Sequence, residues 1–427
     1  MKITQYDKSG DTFFRYKELE ELTSVKQVLN EVRQFGDPAV KKYTRQFDGV
    51  ALEHLKIEHA TIETAYHQED ARTLVVLEAA AQNIRIFAER QLAQLHDFEF
   101  EIQPGVFTGQ KVIPIERVGV YVPGGRFPLV STLLMCAIPA KVAGVSEIMV
   151  CSPPTHEDSI HPTILAAAKI AGVEEVYQIG GAQAIGAMAY GTQSIKPVDK
   201  IVGPGNKYVA YAKKEVYGIV GIDFIAGPTE VLILADESAN PAFIAADLLA
   251  QAEHDPDAAS ILVTASLGLA YAVLREVDRQ LEHLSTKAIA EQSLENNGRI
   301  ILVERFEEAV ELANRMAPEH LELHVSHPEK YIAELKHYGS LFIGNYAAEV
   351  LGDYSSGLNH TLPTNTTARY TGGLSVKDFL KFQTTLNVTS AGLQTIGPTA
   401  EELGKLEALS GHVNAVTIRL AHLTSAH

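Results

Sequence analysis

The feature that most constrains this chain is a change of rhythm near Arg117. From there on, short β-branched runs alternate with helical segments, the signature of βα units whose strands assemble into a largely parallel sheet. A first series of strands is expected at 118–122, 147–151, 175–179, 200–202 and 222–225, with helices such as 163–171 and 207–217 between them. A second is expected at 231–234, 261–264, 300–303, 321–325 and 341–343, spaced by helices such as 241–253 and 306–316. Two α/β domains follow, placed at 116–228 and 229–377. The preceding region, 1–115, reads as mostly helical, with a long periodic segment over 63–95. After Asp378 the pattern breaks into short pieces that end in helical stretches at 399–409 and 412–420. This tail, 378–427, is too thin to bury much surface alone and is expected to pack on something else, a second subunit being one candidate.

A chain of 427 residues exceeds one ordinary core, which agrees with several domains. Carboxylates outnumber Lys and Arg 53 to 36, for a formal charge of -17, and this argues against nucleic acid as a partner. The opening MKITQYDKSG has no apolar run, so neither a signal peptide nor a membrane anchor is expected there. The most apolar stretch, 130–145, is interrupted by Ser131, Thr132, Pro139 and Lys141 and is not read as a membrane span. Two cysteines, Cys136 and Cys151, make no disulfide framework, and a cytoplasmic protein is expected. Both sit in apolar surroundings and read as structural rather than nucleophilic.

Glycine-rich turns are the first candidates for chemistry. The G-x-G-x-x-G dinucleotide fingerprint is absent, but Tyr121-Val122-Pro123-Gly124-Gly125, Gly180-Gly181-Ala182-Gln183 and Gly203-Pro204-Gly205-Asn206 each stand where a strand gives way to a helix. Singly each is an ordinary βα turn. Three in one domain, all at carboxyl ends of strands, point to a ligand at that edge.

Metal-competent side chains form a second group. Gln251 and His254 share a helical face at i, i+3, while Asp353, His360 and His412 lie farther along. Nitrogen and oxygen donors without thiolate suit a borderline ion such as zinc. Spacing alone is weak support, since sixteen histidines are present and a lone one is usually a surface or core residue. The adjacent Glu319 and His320 join a helix to an apolar strand. They read either as a proton-transfer pair or as a turn cap beside a packed imidazole, and spacing does not decide.

Taken together, the turns above, Ala226-Gly227-Pro228-Thr229-Glu230, Gln251-Ala252-Glu253-His254, Ala317-Pro318-Glu319-His320-Leu321, Gly352-Asp353-Tyr354 and Asn359-His360 resemble histidinol dehydrogenases, in order from Arg117 to the C-terminus. The resemblance implies two incomplete Rossmann-like domains of aldehyde-dehydrogenase-like type, NAD bound by the first, and the metal and catalytic groups in the second. It also implies a C-terminal arm exchanged in a homodimer and one zinc ion per subunit. The reaction would be a four-electron oxidation of L-histidinol to L-histidine through histidinaldehyde, using NAD. The zinc ligands would be Gln251, His254 and Asp353, with His412 from the partner chain. Glu319 and His320 would transfer protons. Thr229, His360 and Glu407 would join His320 and the zinc ligands around the substrate, and Tyr121, Gln183 and Asn206 would contact NAD. Two departures stand out: Thr229 occupies a position where serine is more usual, and Asn365-Thr366-Thr367 replaces smaller or glycine-rich residues. A related dehydrogenase acting on another small polar alcohol, such as a sulfonated diol, is the alternative. An acidic Glu407 favours a cationic amine over a sulfonate.

Overall fold

The structure, a computed structural model, describes residues 1–7, 20–124, 128–155 and 159–425. Lys2–Gln5 (β1) is followed by helices Thr23–Phe35, Asp37–Phe47, His59–Gln68 and Ala71–Leu92, then by Phe98–Gln103 (β2) and Val106–Pro114 (β3). The first βα series comprises Arg117–Tyr121 (β4), Glu147–Cys151 (β5), Glu175–Tyr177 (β6), Lys200–Val202 (β7) and Gly221–Ile222 (β8). The second comprises Glu230–Ala235 (β9), Ala259–Thr264 (β10), Arg299–Leu302 (β11), His320–His324 (β12) and Ser340–Ile343 (β13). Leu380–Val388 (β14) and helices Ser390–Leu406 and Ser410–Ser425 complete the described chain.

Both α/β sheets are parallel throughout, in the orders β6-β5-β4-β7-β8 and β1-β11-β10-β9-β12-β13. In each, the first strand of the series lies centrally, the next two extend to one side and the last two to the other. Helices therefore cover both faces, which is why β9 can be apolar at every inner position. Val231 and Ile233 pack with Ile244 and Leu248 on one face, while Leu232 and Leu234 pack with Leu312 and Ala313 on the other. Among the described residues no helix is long and apolar enough to cross a membrane.

The helical reading of 1–115 needs correction at both ends. β1 is a strand that closes the edge of the second sheet by pairing with β11. Residues 98–114 form a hairpin that joins β14 in a separate antiparallel sheet, order β14-β3-β2. The long periodic segment is two helices, because the Asp70 carboxylate caps a new start by accepting from the Thr73 amide.

The tail is also more regular than expected: β14 pairs with β3 from Leu380↔Pro114 to Val388↔Val106. The helix expected at 399–409 begins at Ser390, nine residues earlier, with Pro398 inside it. The two C-terminal helices pack on each other, and neither α/β domain packs extensively against them. Cross-strand partners share a face, so Phe100, Thr108 and Leu386 stand in one row and Val112 and Phe382 in another on the same side. Phe98, Phe100, Phe382 and Leu386 on this sheet and Leu403, Leu406 and Leu409 beside it are exposed. The arm is thus assembled from two segments far apart in the chain.

Candidate active site

The second domain gathers its polar groups at the amino ends of β9 and β12. Helix Phe306–Met316 stops where Ala317 takes a left-handed conformation (φ 50°), and the chain turns through Pro318 and Glu319 into β12. His320 is therefore the first residue of the strand rather than part of a loop, and both it and Glu319 are buried. Glu319 Oε2 accepts from the Thr229 hydroxyl at 2.5 Å and from the Glu230 amide at 3.0 Å. Neither a surface cap nor a solvated turn describes it.

His320 lies inside a ring of carboxyl groups. Its Nδ1 is 3.8 Å from Glu319 and 3.8 Å from Glu349, its Nε2 is 3.7 Å from Asp353, and Nδ1 also approaches the Glu230 carbonyl at 3.3 Å. Glu349 and Asp353 reach it from one short helix, Glu349–Tyr354, at i and i+4. Burial alone would drive the imidazole pKa down, but these carboxylates outweigh it and push it up to about 10. Burial raises Glu319 above the usual carboxylate range, and burial together with the Glu319 charge raises Glu230 to about 8. Three buried carboxyl groups around one imidazole, with the half-buried Glu230 beside them, call for further positive charge, and the buried Nε2 of His320 has no hydrogen-bond partner.

Gln251, fully buried, lies in this ring, its amide 2.7 Å from the Thr229 hydroxyl and 3.1 Å from the Glu349 carboxylate. His254 stands just past the end of helix Pro241–Ala252, on a turn in which its amide reaches the Gln251 carbonyl, and Asp353 is close enough to act on it electrostatically. His360 binds the Asp353 carbonyl through Nδ1 at 3.1 Å and faces Thr132 through Nε2 at 3.3 Å, which ties the site to the first domain. Thr229, Gln251, His254, Glu319, His320, Asp353 and His360 are therefore brought together. Glu407 and His412 are not: both lie exposed on the arm, away from this group.

A divalent ion suits the donors Gln251, His254 and Asp353, because they combine amide, imidazole and carboxylate at a place already overcharged with carboxyl groups. Three donors from one chain leave a position open. Among the described residues, the trio of carboxylate and imidazole groups whose ligating atoms cluster within 4.8 Å is a different one, Asp247, Glu322 and His324. Glu230, Glu349 and this trio escaped the sequence reading. Glu349 carried a usable signal, since it precedes Asp353 by one helical turn.

The residues assigned to NAD lie at the carboxyl edge of the first sheet. The turns after β4 and β6 meet over Pro153, where a Cβ on Gly124 or Gly180 would come within 2.5 Å of the proline ring. Gly203, at φ 114°, passes so close to the Tyr121 carbonyl that a Cβ there would lie 2.2 Å from its oxygen. Tyr121 Oη accepts from the Gly181 amide, and Asn206 caps helix Lys207–Val216 by accepting from Tyr208 and Val209. Gln183 is fully buried with neither end of its amide satisfied. These backbone cradles and an unpaired amide suit a dinucleotide. Gly125 lies outside the described residues.

Asn365 and Thr366 adopt positive φ (54° and 68°), which explains why smaller residues are expected there: a β-branched threonine is strained in that conformation. Their turn covers the site, with Thr364 Oγ1 accepting from the Gly227 amide at 2.6 Å and the Asn365 amide donating to Glu230 at 3.1 Å.

The cysteines are buried, and burial pushes the Cys136 thiol up to about 12 and the Cys151 thiol higher still. Neither forms a thiolate at neutral pH, so C136S and C151S are expected to keep wild-type kcat. Cys136 faces Thr361 Oγ1 at 3.7 Å, a ready partner for a serine, whereas a hydroxyl at 151 would be unsatisfied and cost about 1–3 kcal/mol. Melting temperatures and turnover of the two variants check this, and loss of activity in folded protein would refute it.

A family model described as histidinol dehydrogenase matches residues 15–420. The histidinol dehydrogenase of Geobacillus kaustophilus is 47% identical over 401 residues, covering 94% of each chain. That of Aquifex aeolicus is 50% identical over 398 residues, covering 93% of this chain and 92% of its own. The crystal structure of histidinol dehydrogenase from Elizabethkingia anophelis superposes with a TM-score of 0.94 at 39% identity, covering 99% of this chain and 98% of the other.

Proposed function

The chain belongs to the histidinol dehydrogenase family and is an NAD-dependent oxidoreductase, and from that premise we propose that the ring of groups around His320 is where L-histidinol is oxidised to L-histidine. The observation that carries this is the placement of Glu319 and His320, side by side and buried, within reach of Gln251, Asp353 and Thr229.

Gln251, His254 and Asp353 would hold zinc, and the ion supplies a Lewis-acidic anchor for the substrate's nitrogen atoms. The turns of Tyr121, Gln183 and Asn206 would hold NAD, which would supply the hydride acceptor for each oxidation. The chain's own residues do the rest. The carboxylates that hold His320 protonated include Asp353, a donor for the ion, and an ion's positive charge there would offset their pull; the neutral imidazole would then take the proton from the substrate hydroxyl, with Glu319 and Glu349 stabilising the imidazolium. Glu319, whose carboxyl group burial already raises, then receives a proton from water as it adds to the aldehyde. The carbonyl carbon gains that hydroxyl while the carbonyl oxygen takes the proton held by His320, and the hydrate then becomes the acid by losing the second hydride together with a hydroxyl proton that returns to His320. The Asn365-Thr366 turn and His360 help keep the aldehyde from solvent.

Glu407 and His412 would come from the arm of a second subunit, giving a homodimer with shared sites. The exposed apolar residues of the arm support this, since such a surface on a projecting element calls for a partner. A cytoplasmic location suits the two unpaired thiols.

NADH formation from L-histidinol, measured beside a sulfonated diol, tests the reading. Turnover of histidinol alone is expected, and turnover of the diol alone would overturn the substrate assignment. Exhaustive chelation is expected to abolish activity, with zinc restoring it, because a neutral amide ligand holds the ion less tightly than thiolates would. Full turnover by protein shown to be metal-free would remove zinc from the reaction.

A further inference from the structure

Behind the site runs a polar layer that the chemistry above does not use. β12 is buried along its whole length, and alternate residues of a strand share a face. Leu321 and Leu323 enter the apolar core on one side, so His320, Glu322 and His324 form a row on the other. Their cross-strand neighbours on β9 are Val231, Ile233 and Ala235, all apolar. Helix Pro241–Ala252 adds Asp247 and, one turn later, Gln251.

The bonds of this row lead to one place. His324 Nε2 lies 2.8 Å from Glu322 Oε2, and its Nδ1 is 3.1 Å from Asn345 Oδ1. The other Glu322 oxygen accepts from the Glu349 amide at 3.2 Å, at the first residue of helix Glu349–Tyr354. Ionisable groups buried beside an apolar strand are costly unless each is engaged, and here the engagement ends on the helix that carries Glu349 and Asp353 to His320.

We propose that Glu322 is a positioning residue for the active site. Held between His324 and Asp247, it fixes the start of helix Glu349–Tyr354 and so the directions of the Glu349 and Asp353 carboxylates. The proposal rests on the reading that Asp353 helps to hold zinc. Groups that orient metal ligands from behind typically change metal affinity by about 10–100-fold when removed.

The experiment compares zinc affinity by chelator competition, together with melting temperature, in the wild-type dimer or monomer as isolated and in E322A, E322Q and N345A. E322A is expected to bind zinc roughly 10–100-fold more weakly. E322Q keeps an oxygen for the Glu349 amide and an amine-side donor, and is expected to recover affinity to within about threefold of wild type. N345A, at the half-buried end of the row, guards against an E322A protein that fails to fold and is expected to weaken binding a few-fold in the same direction. Lower melting temperatures with unchanged zinc affinity in E322A and N345A would make the row purely structural and overturn the proposal. A second zinc equivalent that E322A loses would also overturn it, by making Asp247, Glu322 and His324 ligands themselves. Wild-type protein that binds no zinc would instead defeat the zinc reading, and this inference with it.

Discussion

Asparagine in place of His320 is expected to slow the first hydride transfer by about 10²–10⁴, the usual cost of removing a positioned general base. The second transfer should fall as well, because the same imidazole serves the hydrate. Its position carries the prediction: buried, with Glu319, Glu349 and Asp353 all within 3.8 Å, it is the group whose cation the site stabilises. Glu319→Gln should behave differently. The amide still occupies the pocket between Thr229 and the Glu230 amide, but it cannot take a proton from water. Much of the alcohol-to-aldehyde step should survive, while oxidation of histidinaldehyde drops by the larger factor. Single-turnover NADH formation from histidinol and steady-state oxidation of histidinaldehyde separate the two. Equal losses in both steps for E319Q would refute the division of labour.

Mixing two inactive proteins, H254A and H412A, is expected to restore activity. His254 sits in the body of the second domain and His412 on the projecting arm, so each variant damages a different half of a shared site. A mixed dimer then contains one site built from two intact halves and one from two damaged halves. With free exchange of subunits, about a quarter of the wild-type sites should return. The readout is NADH formation after co-incubation, with exchange followed separately by labelled subunits. Demonstrated exchange without recovered activity would place both histidines in one chain's site.

The two α/β domains were legible because their strands are short, apolar and separated by helices of ordinary length. The strands at 147–151 and 200–202 fall where the β-branched runs place them. The arm was not legible. β14 is exposed along most of its length, so it lacks the alternation that marks a half-buried strand. The helix expected to start at 399 instead runs back through Pro398 to Ser390. Spacing alone left Glu319, His320, Gln251 and Asp353 undecided and the family resemblance singled them out; the fold places them near one another from separate elements. Glu322 and His324 were passed over because charged residues in a strand ordinarily mark a solvent face, and here that face is buried under helix Pro241–Ala252. Neither spacing nor composition reports such a cover, which only the tertiary arrangement supplies.

The pairing of β3 with β14 also sets an order of events during synthesis. The hairpin of residues 98–114 leaves the ribosome long before its third strand, which begins at Leu380. At about 5–20 residues per second the wait is roughly 13–55 s. Throughout it, the β3 edge is unpaired beside Phe98 and Phe100, the kind of open, apolar edge that templates association with other chains. Nascent protein stalled before residue 380 should therefore be the species most in need of a chaperone, and slower translation should lower the yield of active enzyme rather than raise it.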